Sequence, residues 1–439
     1  MSKFFTLIVL LCAMLSGYDV SASNRVERVL TLEEIYTLAD EYSKSIKSSK
    51  LALAEADIAV KEAKSKHLPN IDLSVMASYL GDGLLTDRDF SNAMNIDMPH
   101  FGNNFAVEAS QLIYGGGAVS SGVAMAKLQE EMASVDLADS RTRIRFMLTA
   151  FYLDLYKLHN LLKVYDRNIE LAESLIETTR ARQAQGVALA NDITRYELRL
   201  QNISLARRKI VNGIEILNAN MVEMLALDPA TYILPDTKLI SLSTAPQNEN
   251  YWQSEATRYS HDLQRSALGV KMSEQGVKLA RANMLPSVAL VAANHFDGPI
   301  TIEVPVINKN FNYWFVGLRV SWSLSSLYKA NNGVKRAKYA SLLAQSRYDE
   351  AKEGVKLAVK SDYIKYLESF EELESYRKSL QLAEENYSVI ETRYKNDMAI
   401  ATDMVDAANE LLNAELQLAN SQIGAIFKYY KLKSTTGNL

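Results

Sequence analysis

Cysteine is nearly absent from this chain of 439 residues, and its one copy, Cys12, lies close to the amino terminus. With a single cysteine no internal disulfide can form, so the fold has to rest on packing or assembly. Proline (8) and glycine (18) are scarce for this length, which excludes a turn-rich fold and favours long uninterrupted elements. No sign of charge prevails: 48 Lys and Arg against 52 Asp and Glu leave −4, so there is no electrostatic footprint for nucleic acid. Past the amino-terminal segment no apolar run approaches the ~20 residues of a membrane-spanning helix. The five histidines (His67, His100, His159, His261, His295) are scattered and give no metal-ligand spacing. Gly115-Gly116-Gly117 lacks the following Lys and Ser/Thr of a P-loop and reads as a flexible joint at a strand exit. Ser110 and Ser120 have no partner base. Nothing here implies a catalytic residue, a metal or a cofactor.

The first 22 residues are set apart. MSKFF-TLIVLLCAML-SGYDVSAS has an early lysine, a short apolar core and small polar residues, the pattern of a secretory signal peptide. Val20-Ser21-Ala22 suits cleavage, which places the mature start near Ser23. Leu11 stands before Cys12, where a lipoprotein signal wants a small residue, so lipidation of Cys12 is not expected.

The remainder is written twice. AVKEAKSKHLPNIDL (59–73) matches GVKLARANMLPSVAL (276–290). SSGVAMAK (120–127) matches NNGVKRAK (331–338), and ALANDITRYELRLQN (188–202) matches AIATDMVDAANELLN (399–413). Internal repeats decide architecture. The first repeat is expected over 23–226, with strands near 70–80 and 104–114 and long helices near 120–185 and 190–226. A linker follows at 227–250. The second repeat covers 251–439, with strands near 287–296 and 312–322 and helices near 328–395 and 401–432.

Heptad seams mark the helices. Ile144, Leu148, Phe151, Leu155, Leu158, Leu162, Tyr165, Ile169, Ala172 and Ile176 hold a 4,3 spacing. A second seam runs through Ile193, Tyr196, Leu200, Ile203, Arg207, Ile210 and Ile214, and the later half repeats the pattern through Tyr387, Ile390, Tyr394, Met404, Ala407 and Leu411. Such seams predict coiled coils. A fibrous or adaptor coiled coil would satisfy the helices alone, but the strands add something else. Ile71, Leu73, Val75, Ala77 and Tyr79 share one face, and Trp314, Val316, Leu318, Val320 and Trp322 share another. Strands of about ten residues with one apolar, tryptophan-bounded face fit a transmembrane β-barrel wall. A soluble sheet with one buried face is the alternative. In a barrel Asp72, Glu108 and Arg319 would face the lumen. Four strands cannot close alone, whereas three chains give twelve. Leu68-Pro69 and Leu285-Pro286 would end a helix and start a strand, because proline tolerates a strand's first position.

LTLEEIYTLADEYSKSIKSSKLALAEADIAVKEAKSKHLPNIDLS (30–74), SQLIYGGGAVSSGVAMAKLQ (110–129), the paired heptad helices and the duplication together resemble the TolC-type outer-membrane efflux family. The resemblance implies a mixed α/β membrane protein: a homotrimeric twelve-stranded β-barrel in outer-membrane lipid, continued by an α-helical coiled-coil barrel in the periplasm. It implies an exit duct working with a periplasmic adaptor and an inner-membrane pump, the loops 81–103 and 297–311 lying outside. It makes the two helix–helix turns the working parts. Gly186 and Val187 in the first turn, and Asp397 and Met398 in the second, correspond to the adaptor-docking tip, although the family carries glycine where this chain has Asp397. Asp192 and Tyr394 match a polar gate, whose second link is lost because Ala399 replaces an arginine and Asn191 lies opposite. Asp403 and Asp406 match an acidic selectivity ring. From the residues alone, Asp192 and Asp403 also read as helix caps and Tyr394 as a seam residue. The rival readings are a periplasmic adaptor and a pore-less structural coiled coil.

Overall fold

The computed structural model describes residues 25–236 and 247–439. The signal segment 1–22 with Cys12, and residues 237–246 of the expected linker, lie outside the described residues. In chain order the elements are β1 (Val26–Leu30), α1 (Leu32–Tyr42), α2 (Lys44–Ser65), β2 (Asn70–Tyr79), β3 (Gly83–Leu85), β4 (Met94–Ile96), β5 (Phe101–Gly115), α3 (Ala118–Ala184) and α4 (Ala190–Met224). They continue as β6 (Thr231–Pro235), α5 (Glu249–Tyr259), α6 (His261–Ala282), β7 (Ser287–Gly298), β8 (Phe311–Ser321), α7 (Ser326–Lys395) and α8 (Ala401–Thr435). These divide into two compact units, each drawing on both halves of the sequence. Among the described residues no helix is long and apolar enough to cross a membrane.

One unit comprises Ser48–Asp139 and Ser260–Lys356. Its main sheet is antiparallel in the order β2-β5-β7-β8, so β2 and β8 are open edges. Strand β2 starts one residue after Pro69, and β7 starts one residue after Pro286. Proline cannot donate to a helix or to a ladder, and it punctuates both joins. The register sets Leu73 opposite Val107, and Asn294 opposite both Val107 and Trp314. That face is largely apolar and bare: Leu73 and Trp314 are each 73% exposed, and Ile71, Val75, Val316, Leu318 and Val320 are exposed beside them. A bulge between Leu112 and Tyr114 shifts the ladder near the exit of β5.

The glycine triplet is a packed corner, which corrects the flexible joint expected there. Gly116 has φ +63°, and a Cβ on it would lie 2.7 Å from the Ala282 carbonyl oxygen and 2.9 Å from Leu285 Cβ. Only glycine combines left-handed backbone with so close an approach. Residues 81–103 are also more than a loop, because they hold the β3–β4 hairpin.

The other unit comprises residues 25–47, Ser140–Tyr259 and Leu357–Leu439. Its two-stranded sheet pairs β1 with β6 in parallel, from Val26–Thr231 to Leu30–Pro235. The stretch expected as a linker therefore contributes a strand. The Tyr152 hydroxyl of α3 donates to the Leu30 carbonyl (2.8 Å) and accepts from the Asp236 N–H (2.7 Å), tying both strand ends to the helix. Asn218 brackets β6 from α4, donating to the Thr231 carbonyl (2.9 Å) and accepting from the Ile233 N–H (2.7 Å). A reciprocal cap starts α1: Glu34 N–H donates to Thr31 Oγ1 (3.3 Å), while Thr31 N–H donates to Glu34 Oε2 (2.8 Å). That arrangement satisfies two orphan donors at once.

Cores form along the long helices, partly beside the expected seams: Leu153 meets Ile423 and Ile426, and Val164 meets Ile203 and Leu412, while the seam residues Leu162, Tyr165, Ile169 and Leu411 are half-buried. Fully burying one such side chain contributes about 1.5–3 kcal/mol. In α4 the buried line includes Arg199 beside Tyr196 and Ile203, whereas Leu200 is only half-buried.

Candidate functional site: the paired helix turns

The α3–α4 and α7–α8 turns have nearly the same backbone. In the first, Val187 N–H returns to the Arg182 carbonyl (3.0 Å), and Gly186 takes φ +78°. In the second, Met398 N–H returns to the Arg393 carbonyl (2.8 Å), and Asp397 takes φ +59°. Both are six-to-one closures with a left-handed residue at the corner. Glycine takes that corner freely, while an L-residue pays roughly 1–2 kcal/mol, reduced for Asp and Asn by local hydrogen bonding. Asp397 therefore sits where the duplicate turn has Gly186, and its carboxylate receives the Arg182 Nη2.

The helices that follow also start alike. Leu189 and Ile400 occupy the cap positions and offer no side-chain acceptor. Asp192 Oδ2 instead accepts from Leu189 N–H (3.1 Å), and Asp403 Oδ2 accepts from Ile400 N–H (3.2 Å). Each aspartate supplies the returning half of a capping box and places negative charge at the positive helix end. Both carboxylates cap helices in this structure, whatever else they do. Asp406, one turn further along α8, is exposed and makes no such bond.

Tyr394 is 5% exposed in a core with Leu175, Ile176, Tyr196, Ala401 and Met404. Its hydroxyl lies 3.2 Å from Thr179 Oγ1. The Arg182 guanidinium rests 4.9 Å from the ring centroid, and its Nη1 donates to the Tyr394 carbonyl (3.0 Å). Within one chain Asp192 and Tyr394 line the same cleft without bonding to each other. The seam reading of Tyr394 fits this packing. Arg182 is the residue that touches Tyr394 and Asp397 together, and Arg195 joins the turns a second time by donating to Thr402 Oγ1 (2.5 Å).

Arg199 is the other group that the sequence reading missed. It is 5% exposed, donates from Nε to Asn409 Oδ1 (2.9 Å) and from Nη2 to the Ala408 carbonyl (3.0 Å), and leaves Nη1 buried without a partner. Burial pushes its pKa down, and the nearby Tyr387 and Tyr196 push it up. Its signal was spacing: it lies three residues after Tyr196 and four before Ile203. Asp406, Arg195, Arg199, Thr402 and Asn409 line a groove of about 460 Å³ between α4 and α8. The turns themselves carry apolar residues into solvent: Val187, Leu189, Met398 and Ile400 are all exposed. Leu189 and Ile400 were not singled out from sequence.

The sheet holds the remaining candidates. Its register sets Asp72 directly opposite Glu108, and alternation along β8 puts Arg319 on that same face, opposite Ala289. His295 joins them: its Nε2 is 3.7 Å from Glu108 Oε1 and its ring stacks on Tyr313 at 5.1 Å. Among the described residues no group of three His, Cys, Asp or Glu could hold a metal ion.

Residues 252–436 match the family model described as outer membrane efflux protein. The chain is 22% identical to outer membrane protein TolC of Escherichia coli over 98% of its own length and 86% of the relative's. It is 22% identical to outer membrane efflux protein BepC of Brucella suis, over 98% of this chain and 90% of that one. The crystal structure of outer membrane protein VceC from Vibrio cholerae superposes with a TM-score of 0.77 at 15% identity, covering 92% of this chain and 96% of that one. A shared fold, a family model matched in the second half and two relatives aligned over 98% of this chain agree: the chain is similar along its length to the TolC-type outer membrane efflux proteins.

Proposed function

We propose that this protein is the outer-membrane exit duct of an efflux or type I secretion assembly. One observation carries the reading: a four-stranded sheet with two open edges exposes an apolar face to solvent. An unpaired edge cannot sit in lipid, where every backbone polar group needs a partner. Pairing β8 of one copy with β2 of the next is a heterologous contact that closes into a ring. Three copies make a barrel of twelve strands, within the even-numbered range of such barrels. Asp72, Glu108 and Arg319 then line the lumen, and the paired long helices continue the wall on the periplasmic side.

The duct has no energy source of its own in this reading, so it works with an inner-membrane pump through a periplasmic adaptor. The exposed Val187, Leu189, Met398 and Ile400 support an apolar docking tip beside Gly186 and Asp397. Arg182, Tyr394 and Asp397 hold the two turns together as the gate. Asp403 and Asp406, repeated three times around the opening, favour cations as rings of carboxylates do.

The test is to express the chain in a Gram-negative host, isolate outer membranes, and determine the mass of the detergent-extracted protein by light scattering. A mass of three chains from the outer membrane supports the duct. A soluble periplasmic monomer overturns it.

A further inference from the structure

Charge is distributed unevenly about the two ends of the main sheet. Within twelve residues of each strand's helix-side end the chain carries seven lysines and arginines and one acid, Glu62. The opposite connections, residues 80–100 and 299–310, carry five acids and two bases. The chain as a whole is slightly acidic at −4, so the basic end is a local feature. It lies next to the apolar sheet face that meets lipid in the proposed duct, and the inference rests on that reading.

Two of these residues, Lys278 and Arg281, line one groove together with Lys338, which lies further along α7. Between α6 and α7 a space of about 500 Å³ is lined by Glu274, Val277, Lys278, Arg281, Lys338 and Leu342. Lys278, Arg281 and Lys338 are exposed, and among the described residues no ion pair involves them. Glu274 is the one acid in the lining. Arg281 comes six residues before Ser287, where β7 begins, so its guanidinium lies within about two turns of the sheet. Val277 and the exposed Leu342 add apolar surface beside the cations. Lys and Arg carry aliphatic stems that lie along such surface while their heads reach outward.

We infer that this groove binds the phosphate headgroup of an anionic phospholipid in the leaflet next to the helices. The charge is complementary, and the apolar sheet face lies beyond Arg281 in the direction of the acyl chains. Clustered Lys and Arg beside a membrane-embedded segment attract anionic lipid in this way. Three cations around one site also match the several oxygens of a phosphodiester.

Native mass spectrometry of the detergent-solubilised trimer tests this, with dioleoylphosphatidylglycerol titrated against dioleoylphosphatidylcholine. The expected result is at least fivefold more phosphatidylglycerol bound, with the preference falling as salt rises. The K278Q/R281Q/K338Q variant should lose the preference and keep its phosphatidylcholine adducts. Equal binding of the two lipids by the parent trimer overturns the inference, as does a variant trimer that keeps the preference. If the triple variant does not assemble, Lys278→Gln alone decides, with a preference at least halved expected and an undiminished one contrary. Displacement of phosphatidylglycerol by inorganic phosphate would mean a free-anion site and would also overturn the lipid assignment. A parent protein that is not an outer-membrane trimer removes the duct reading itself, whereas a trimer without lipid preference removes only this inference.

Discussion

Arg182 on α3 and Asp397 in the α7–α8 turn form an ion pair that joins the two helix turns of one chain. The arginine is mostly buried and the aspartate mostly exposed, so the pair alone contributes below about 1 kcal/mol. Two substitutions separate charge from backbone. Asp397→Asn keeps a residue that tolerates positive φ and removes the charge. Asp397→Gly removes the charge and also relieves a left-handed cost of about 1 kcal/mol. Both should raise basal conductance in planar bilayers, by roughly fivefold for each kcal/mol lost from the closed state. Only the glycine variant should gain thermal stability. Conductances equal to the parent's would leave Asp397 a turn residue without a gating role.

Tyr394 gives a ranking. Its hydroxyl bonds Thr179 and lies in the same core as Tyr196, whereas Arg182 touches its ring and its carbonyl and reaches Asp397. Tyr394→Phe removes about 1 kcal/mol of hydrogen bonding, and Arg182→Gln removes the ion pair and the ring contact together. Basal conductance should therefore rise more in Arg182→Gln than in Tyr394→Phe. The reverse order in the same recordings would return the gate to the tyrosine hydroxyl.

Much of this was legible because the signals are periodic and long. The seam from Ile144 to Ile176 repeats often enough to define a helix without any contact information. The strand from Ile71 to Tyr79 has a clean alternation that only a two-faced sheet explains. What escaped is short or distant. Strands β1 and β6 are five residues each, pair in parallel, and lie about 200 positions apart, so neither length nor a hairpin turn announces them. The two turns were read from a motif, but the residues that join them were not. Arg182 and Arg195 look like solvated charges in sequence, and only the folded turns bring them to Tyr394, Asp397 and Thr402. Asp397 itself was visible as a departure, and the positive φ supplies the meaning that the motif lacked.

The two acidic residues of α8 should separate by assay. Asp403 accepts the Ile400 N–H, so Asp403→Ala should cost about 1 kcal/mol of stability through the lost cap. Asp406 caps nothing, and Asp406→Ala should leave the thermal midpoint within a degree or two. Both should weaken block by a trivalent cation such as hexaamminecobalt in single-channel recordings. Unchanged block in the double variant would remove the acidic ring and leave Asp403 a cap alone.

Arg199 is a buried cation bonded to neutral partners, Asn409 and the Ala408 carbonyl. Truncation to alanine opens a cavity and strands both acceptors, at a cost of about 2–4 kcal/mol. Methionine fills much of the same volume with no charge to desolvate, and such exchanges of buried ionic groups are often neutral or stabilising. The thermal midpoint of the extracted protein should fall clearly for Arg199→Ala and change little for Arg199→Met. A methionine variant as unstable as the alanine variant would show that the guanidinium bonds, not the packed volume, hold α4 to α8.

Alkaline stability tests the buried tyrosines. Tyr152, Tyr387 and Tyr430 are each pushed up to about 12, burial being the largest cause for all three. Unfolded tyrosines ionise near pH 10. Below that pH neither state has released the proton and stability is unaffected. Between about 10 and 12 the unfolded chain sheds protons that the folded chain keeps, so stability is lost as pH rises through this window. The thermal midpoint should be flat up to pH 10 and fall steeply above it. Tyr387 has a buried hydroxyl without a hydrogen-bond partner, so Tyr387→Phe should shallow the fall and leave the neutral-pH midpoint unchanged or raised. Tyr152→Phe should shallow the fall too, but lower the neutral-pH midpoint, because its hydroxyl ties Leu30 to Asp236. A pH profile that neither variant alters would mean that these phenols are not what limits the fold in alkali.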